Sequence, residues 1–301
     1  MLELSRLCVL ATTILVGLAL LVQVLVLFTQ SSGRRAAPAR QKALVGAGGP
    51  GASSAPASAA AGPARVRGVG RYGVWLLRAA ALVLTAGLVA RVVHTGHAPF
   101  ANQYEFAVAF AWGVLVAQIW FEHRYRVAAL GMAVLPVVLA MLLYADTVGA
   151  EAVPLVPALQ NHLLLTLHVV TAVLGYGAAG VACGAAVLYL LKPYLRWRFI
   201  PSEDLLEEVG YRATVLTFPL LTIMIVLGAI WADIAWGSYW SWDPKETAAL
   251  VTWLVYGGYL HARVVGSWRG RRAAWLLVLG FAAVLFTYFG NLFFGGLHSY
   301  A

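Results

Sequence analysis

Eight long apolar runs dominate this chain, at roughly 7–29, 72–93, 104–121, 125–144, 163–191, 213–232, 247–265 and 273–294. Runs of about 20 apolar residues match the length at which a helix crosses a bilayer. In hydrocarbon every backbone N–H and C=O must be satisfied within the protein, which leaves helices or closed barrels as spanning structures. Helical runs of this length predict an all-α fold: a polytopic membrane helical bundle of about eight transmembrane helices. Charged residues make up 11% of the chain, against about 25% in ordinary soluble domains. An aqueous core cannot hide this much apolar surface.

The first run resembles a signal peptide at first sight. Only Arg6 precedes it, however, and basic residues follow it at Arg34 and Arg35. It reads as a retained span with its N-terminus outside. Residues 31–71 differ in kind, being Ala, Gly, Ser, Pro and Arg. Such a composition buries no core and predicts a disordered cytoplasmic linker. The expected organisation is therefore an N-terminal helix over 1–30, the linker over 31–71, and a seven-helix domain over 72–301.

The formal charge of +9 invites a nucleic-acid reading, but its placement argues otherwise. Of twenty-one Lys and Arg, seventeen fall in 30–71, 122–126, 192–212 and the turn after span seven. With an even number of spans these lie on one side, which is the positive-inside pattern of a lipid-bilayer protein. No nucleic-acid partner is expected. Both termini, and the loop between spans six and seven, then lie outside the cytoplasm. Cys8 and Cys183 sit in apolar runs and form no CxxC pair, so a disulfide framework or thiol relay is not expected.

That loop reads WGSYWSWDPKET over 236–247, and with Trp231 it packs four of the chain's eleven tryptophans into twelve residues. One reading is an interfacial aromatic belt. The other is a flat apolar surface for a large planar ligand. Asp243, Pro244 and Glu246 fit the N-cap, N1 and N3 positions of a capping box that starts span seven. The helix N-terminus placed there favours anions. Three histidines stand out: His168 near one end of span five, His261 near the far end of span seven, and His298 beyond span eight. Each can be a hydrogen-bonded structural residue. That reading is favoured for each taken singly; the other is that the two outer histidines, His168 and His298, hold one iron from both faces, since neutral imidazole is a common axial ligand.

WGSYWSWDPKE has the form of the WWD signature. Together with LHVVTAVLGY, WLVYGGYLHAR and GNLFFGGLHSY, it resembles the system II cytochrome c biogenesis family known as CcsA in plastids and as ResC or CcsB in bacteria. The WWD core alone is shared with the system I relatives CcmC and CcmF. The resemblance covers about 72–301 and leaves residues 1–70 unexplained. It implies a haem-handling protein that moves or presents haem b on the outer membrane face, for thioether attachment to the CxxCH of an apocytochrome c. It also implies one part of a cytochrome c synthase, completed by a ResB-type membrane subunit. The membrane would be the cell (plasma) membrane, or the thylakoid in a plastid, crossed several times.

By the same resemblance, His168 and His298 would be axial ligands of an external haem iron. His261 would be a transmembrane haem ligand shared with the partner. Trp236, Gly237, Trp240, Trp242 and Asp243 would carry the signature within a loop spanning 231–247. No side chain is assigned proton transfer, and catalytic residues are unknown. A haem chaperone or exporter without ligation activity is the alternative; a transporter and an anchoring subunit are more distant rivals.

Overall fold

The structure, a computed structural model, describes residues 1–46, 63–152, 155–160, 162–195 and 200–298. Among them are eight α-helices: α1 (Leu2–Gly46), α2 (Pro63–Thr95), α3 (Gln103–Tyr125), α4 (Gly131–Thr147), α5 (His162–Leu191), α6 (Glu203–Trp236), α7 (Pro244–Val264) and α8 (Arg271–Phe289). No strand occurs among the described residues. Seven of the eight helices contain a stretch long and apolar enough to cross a membrane. The exception is α7, whose Tyr256, Tyr259, His261 and Arg263 dilute its apolar character. Its 21 residues still reach about 31 Å, the thickness of a hydrocarbon core. The chain is a multi-pass membrane protein.

Several boundaries move. Helix α6 starts ten residues before the apolar run, because Ser202 caps it by accepting from the Leu205 N–H at 3.3 Å and Glu203 and Asp204 suit its first turn. Helical backbone extends α1 to Gly46 and opens α2 at Pro63. The segment expected to be a linker is thus bounded by helix on both sides, and residues 47–62 lie outside the described residues.

Helix α1 belongs to the bundle. It packs along α2 and against α4. Thr12, Val16 and Ala19 are fully buried. Gly87 of α2 faces Cys8 so closely that an added Cβ would lie 2.7 Å from the Cys8 Cβ. The opposite face of α1 exposes Leu7, Leu10, Ile14, Leu18, Leu21 and Leu25, an apolar stripe at i+3/i+4 spacing suited to lipid.

Helix α5 is the axis of the rest, packing against α3, α4, α6 and α8. Its crossing with α3 is backbone-tight. A Cβ at Gly113 would meet the Val173 carbonyl oxygen at 2.5 Å, and one at Gly177 would run into the Gly113 carbonyl. Small residues at a crossing allow this approach, which supplies packing energy where lipid offers no hydrophobic drive.

Three connections, α2–α3, α4–α5 and α6–α7, gather with the C-terminal segment at one end of the bundle, tied by hydrogen bonds. Arg91, at the end of α2, is buried and pairs with Glu105 of α3 at 2.8 Å. Its guanidinium also donates to the carbonyls of Ala150 (2.6 Å) and Glu151 (3.1 Å), in the α4–α5 connection. The Trp231 indole N–H donates to the Ala158 carbonyl at 3.0 Å. The opposite end carries the basic turns. There Glu207 accepts from Arg263 at 2.9 Å and from the Gly270 N–H at 2.6 Å.

Candidate functional site

The tied end holds a cavity with about 1320 Å³ of space between atoms, its open mouth included. Apolar and aromatic side chains line most of it, among them Phe106, Phe110, Val173, Tyr176, Trp231 and Trp240. His168 and His298 both line it. Two histidines 130 positions apart in the chain thus meet at one site.

Both imidazoles are held through the same nitrogen. His168 Nδ1 lies 2.8 Å from the Met224 carbonyl oxygen of α6. A carbonyl only accepts, so Nδ1 carries the proton and the lone pair resides on Nε2. This contact depends on Gly228, where a Cβ would sit 2.7 Å from His168 Cε1 and 2.9 Å from Nδ1. His298 Nδ1 lies 2.8 Å from Asp243 Oδ1, which again puts the lone pair of neutral imidazole on Nε2. Metal-ligating histidines characteristically donate their other N–H to a carbonyl or carboxylate, which fixes tautomer and ring orientation.

Asp243 organises the site. Its capping box with Glu246 is present as expected. Asp243 Oδ1 accepts from the Lys245 N–H at 2.9 Å, and Glu246 Oε2 accepts from the N–H groups of Ser241 (2.9 Å) and Asp243 (3.3 Å). Asp243 Oδ2 meanwhile accepts from the Leu297 N–H at 2.6 Å. One carboxylate, 6% exposed, therefore starts α7 and clasps the C-terminal segment that carries His298. Gly296 lies so close that a Cβ there would collide with Asp243 Oδ2. Burial disfavours the ionised form of Asp243, but the bonds from His298, Lys245 and Leu297 outweigh it and hold the pKa down at about 2. Burial pushes the His298 pKa below the usual histidine value, against the opposing pull of Asp243. Neutral imidazole, the ligating form, is favoured.

The tryptophans divide their work. Trp231, 2% exposed, touches both histidines. It stacks nearly parallel on His168 with ring centres 6.4 Å apart, and its centre is 5.7 Å from His298. Trp236 packs edge-on to Trp231 (4.7 Å) and to His298 (4.8 Å). Gly237 ends α6 in the left-handed region at φ 75°, which turns the chain toward Trp240 on the cavity wall. Trp242 is 69% exposed, also left-handed at φ 59°, and stands edge-on to Trp240 at 5.8 Å. The three signature tryptophans therefore form no single shelf. Trp240 lines the cavity, Trp236 backs His298, and Trp242 faces out.

His261 lies apart. It is exposed in the last turn of α7, sixteen residues beyond Lys245, or roughly 24 Å along the helix. Sequence reasoning counted Trp231 only within a tryptophan-rich window and left it out of the site. Its five-residue separation from Trp236 is not a same-face helical spacing, so the contact of the two indoles, with ring centres 4.7 Å apart, carried no signal in the sequence.

Fold and site together define a polytopic membrane protein with a deep aromatic cavity and two anchored imidazoles at one end of its helices. The family described as Cytochrome C assembly protein matches residues 100–298, and the chain belongs to it. Among its relatives is the cytochrome c biogenesis protein CcsA of Guillardia theta, 38% identical over 257 residues, which span 76% of this chain and 84% of that protein. CcsA of Gloeobacter violaceus is 34% identical over 283 residues, spanning 73% and 83%. The chain is thus a protein of cytochrome c maturation of the CcsA kind. Among solved structures, a Cytochrome c Heme Lyase CcmF shares the fold with a TM-score of 0.64 at 20% identity, over 96% of this chain. The aligned part spans about half of that larger protein (46%).

Proposed function

We propose that this chain is the haem-binding membrane subunit of a system II cytochrome c synthase. It holds haem b in the cavity and presents it on the extracytoplasmic face for thioether attachment to the CxxCH of apocytochrome c. The observation that carries the reading is the pair His168 and His298, which line one aromatic cavity with both Nδ1 atoms bound to acceptors. The donor set suits a porphyrin iron: two neutral imidazoles, with flat apolar walls for the macrocycle. The basic turns lie at the end opposite the cavity, and the positive-inside rule makes this support for a cavity that opens outside, in the cell membrane or a thylakoid.

In this reading His168 is the fixed ligand, packed within helices. His298 is the exchangeable one, because it rides on a short terminal segment clasped by Asp243. The histidine of an incoming CxxCH replaces it, and the two thiols then lie beside the porphyrin edge. Proximity supplies much of the catalysis. His261, exposed at the other end of α7, is the surface at which a ResB-type subunit shares a second haem contact.

The test is an absorption spectrum of the chain co-expressed with a ResB-type subunit and purified in detergent. The wild type is expected to carry six-coordinate haem, and His168→Ala/His298→Ala to lose or alter it. Identical spectra would make both histidines structural and end the proposal.

A further inference from the structure

Two charged side chains among the described residues line the cavity, Lys245 and Glu246; iron ligation uses neither, and Glu246 is committed to the cap of α7. Lys245 is the sole Lys or Arg among the described residues lining the cavity. It occupies the second position of α7, where a positive charge opposes the helix dipole, so helix stability does not explain it. Its ammonium lies 5.3 Å from the centre of the Phe106 ring. Among the described residues no carboxylate lies within ion-pair distance of it. The two nearest acids in sequence are committed elsewhere. Asp243 accepts from three groups, of which the Lys245 contribution is its backbone N–H, and Glu246 accepts from Ser241 and Asp243. A cation held against an aromatic face in a largely apolar cavity is a site for an anionic group of the ligand.

We propose that Lys245 binds a carboxylate of the planar ligand, and so fixes the rotation of the ring within the cavity. This rests on the haem reading above and deepens it. Iron ligation by two axial histidines leaves the porphyrin free to turn about the axis joining them. An ammonium at one point of the wall removes that freedom by drawing the propionate edge to itself, and the opposite, vinyl-bearing part of the ring then faces away from Lys245. Lys245 is a positioning residue and takes part in no bond-making step.

The experiment titrates the detergent-purified protein, stripped of haem, with haemin and with haemin dimethyl ester, whose propionates carry no charge. Wild type, Lys245→Gln and Lys245→Arg are compared by the absorption of the bound form. Wild type is expected to bind haemin about tenfold more tightly than the ester, as befits one charge-assisted contact. Lys245→Gln should lose that preference while keeping the six-coordinate spectrum, and Lys245→Arg should retain most of it. Equal preference in wild type and Lys245→Gln would overturn the assignment of Lys245 and leave haem binding standing. Failure of wild type to bind either compound would overturn the haem reading and this inference together.

Discussion

Asp243 does two jobs that a single substitution can separate. Asp243→Asn keeps a carbonyl oxygen where Oδ1 accepts from the Lys245 N–H, and Asn caps helices as well as Asp. The start of α7 should therefore survive. The amide nitrogen replaces Oδ2, however, and then faces the Leu297 N–H donor to donor. A hydrogen bond to a charged group contributes ~1.5–3 kcal/mol. Leu297 is 42% exposed, so water compensates in part and the lower figure applies. The bond to His298 weakens as well when its acceptor loses charge. Together the clasp loses about 2 kcal/mol, a roughly thirtyfold shift toward the released tail.

Hydrogen–deuterium exchange reads this without any ligand. Peptides within 290–298 should exchange about thirtyfold faster in Asp243→Asn, because protection tracks the free energy of local opening. Peptides from the first turns of α7 should be unchanged. Asp243→Ala removes the cap too, at a further ~1 kcal/mol, and should loosen both regions. Unchanged tail protection in Asp243→Asn would refute the clasp. Equal loosening of tail and α7 would reduce Asp243 to a helix cap.

Two further outcomes follow from the packing. Gly228→Ala places a methyl 2.7 Å from His168 Cε1; it should displace the imidazole from Met224 at a cost of ~1–3 kcal/mol, seen as an altered absorption band of haem-loaded protein with unchanged helix content by circular dichroism. Arg91→Met strands buried Glu105, at ~3–5 kcal/mol, and should lower the thermal midpoint in detergent markedly, whereas Arg91→Met/Glu105→Gln should recover much of the loss.

What the sequence made legible was what is local or repetitive. Eight apolar runs predicted eight helices because a spanning helix needs only its own residues to satisfy its backbone. The capping box at 243–246 was readable for the same reason, being four consecutive residues with fixed roles. The start of α6 was missed because Glu203–Arg212 is polar on average, and an apolar run marks the part of a helix that lipid or core covers, not the whole helix. The docking of α1 was hidden because a helix apolar on all sides does not announce which side meets protein. That choice is made by partners such as Gly87, whose missing side chain carries no hydropathy signal. His168 and His298 could be paired in the sequence because both fall on the outer side near the tryptophan loop, and the family resemblance gave the same pair; that they line one cavity could not be read. No spacing rule joins residues so far apart; the structure joins them through Met224, Asp243 and Trp231. Of these, Asp243 was read as a cap, and its second oxygen meets a backbone N–H 54 positions away at Leu297, a contact no local pattern announces. Local chemistry could name the cap, and only the assembled bundle could turn it into a clasp on the segment that carries His298.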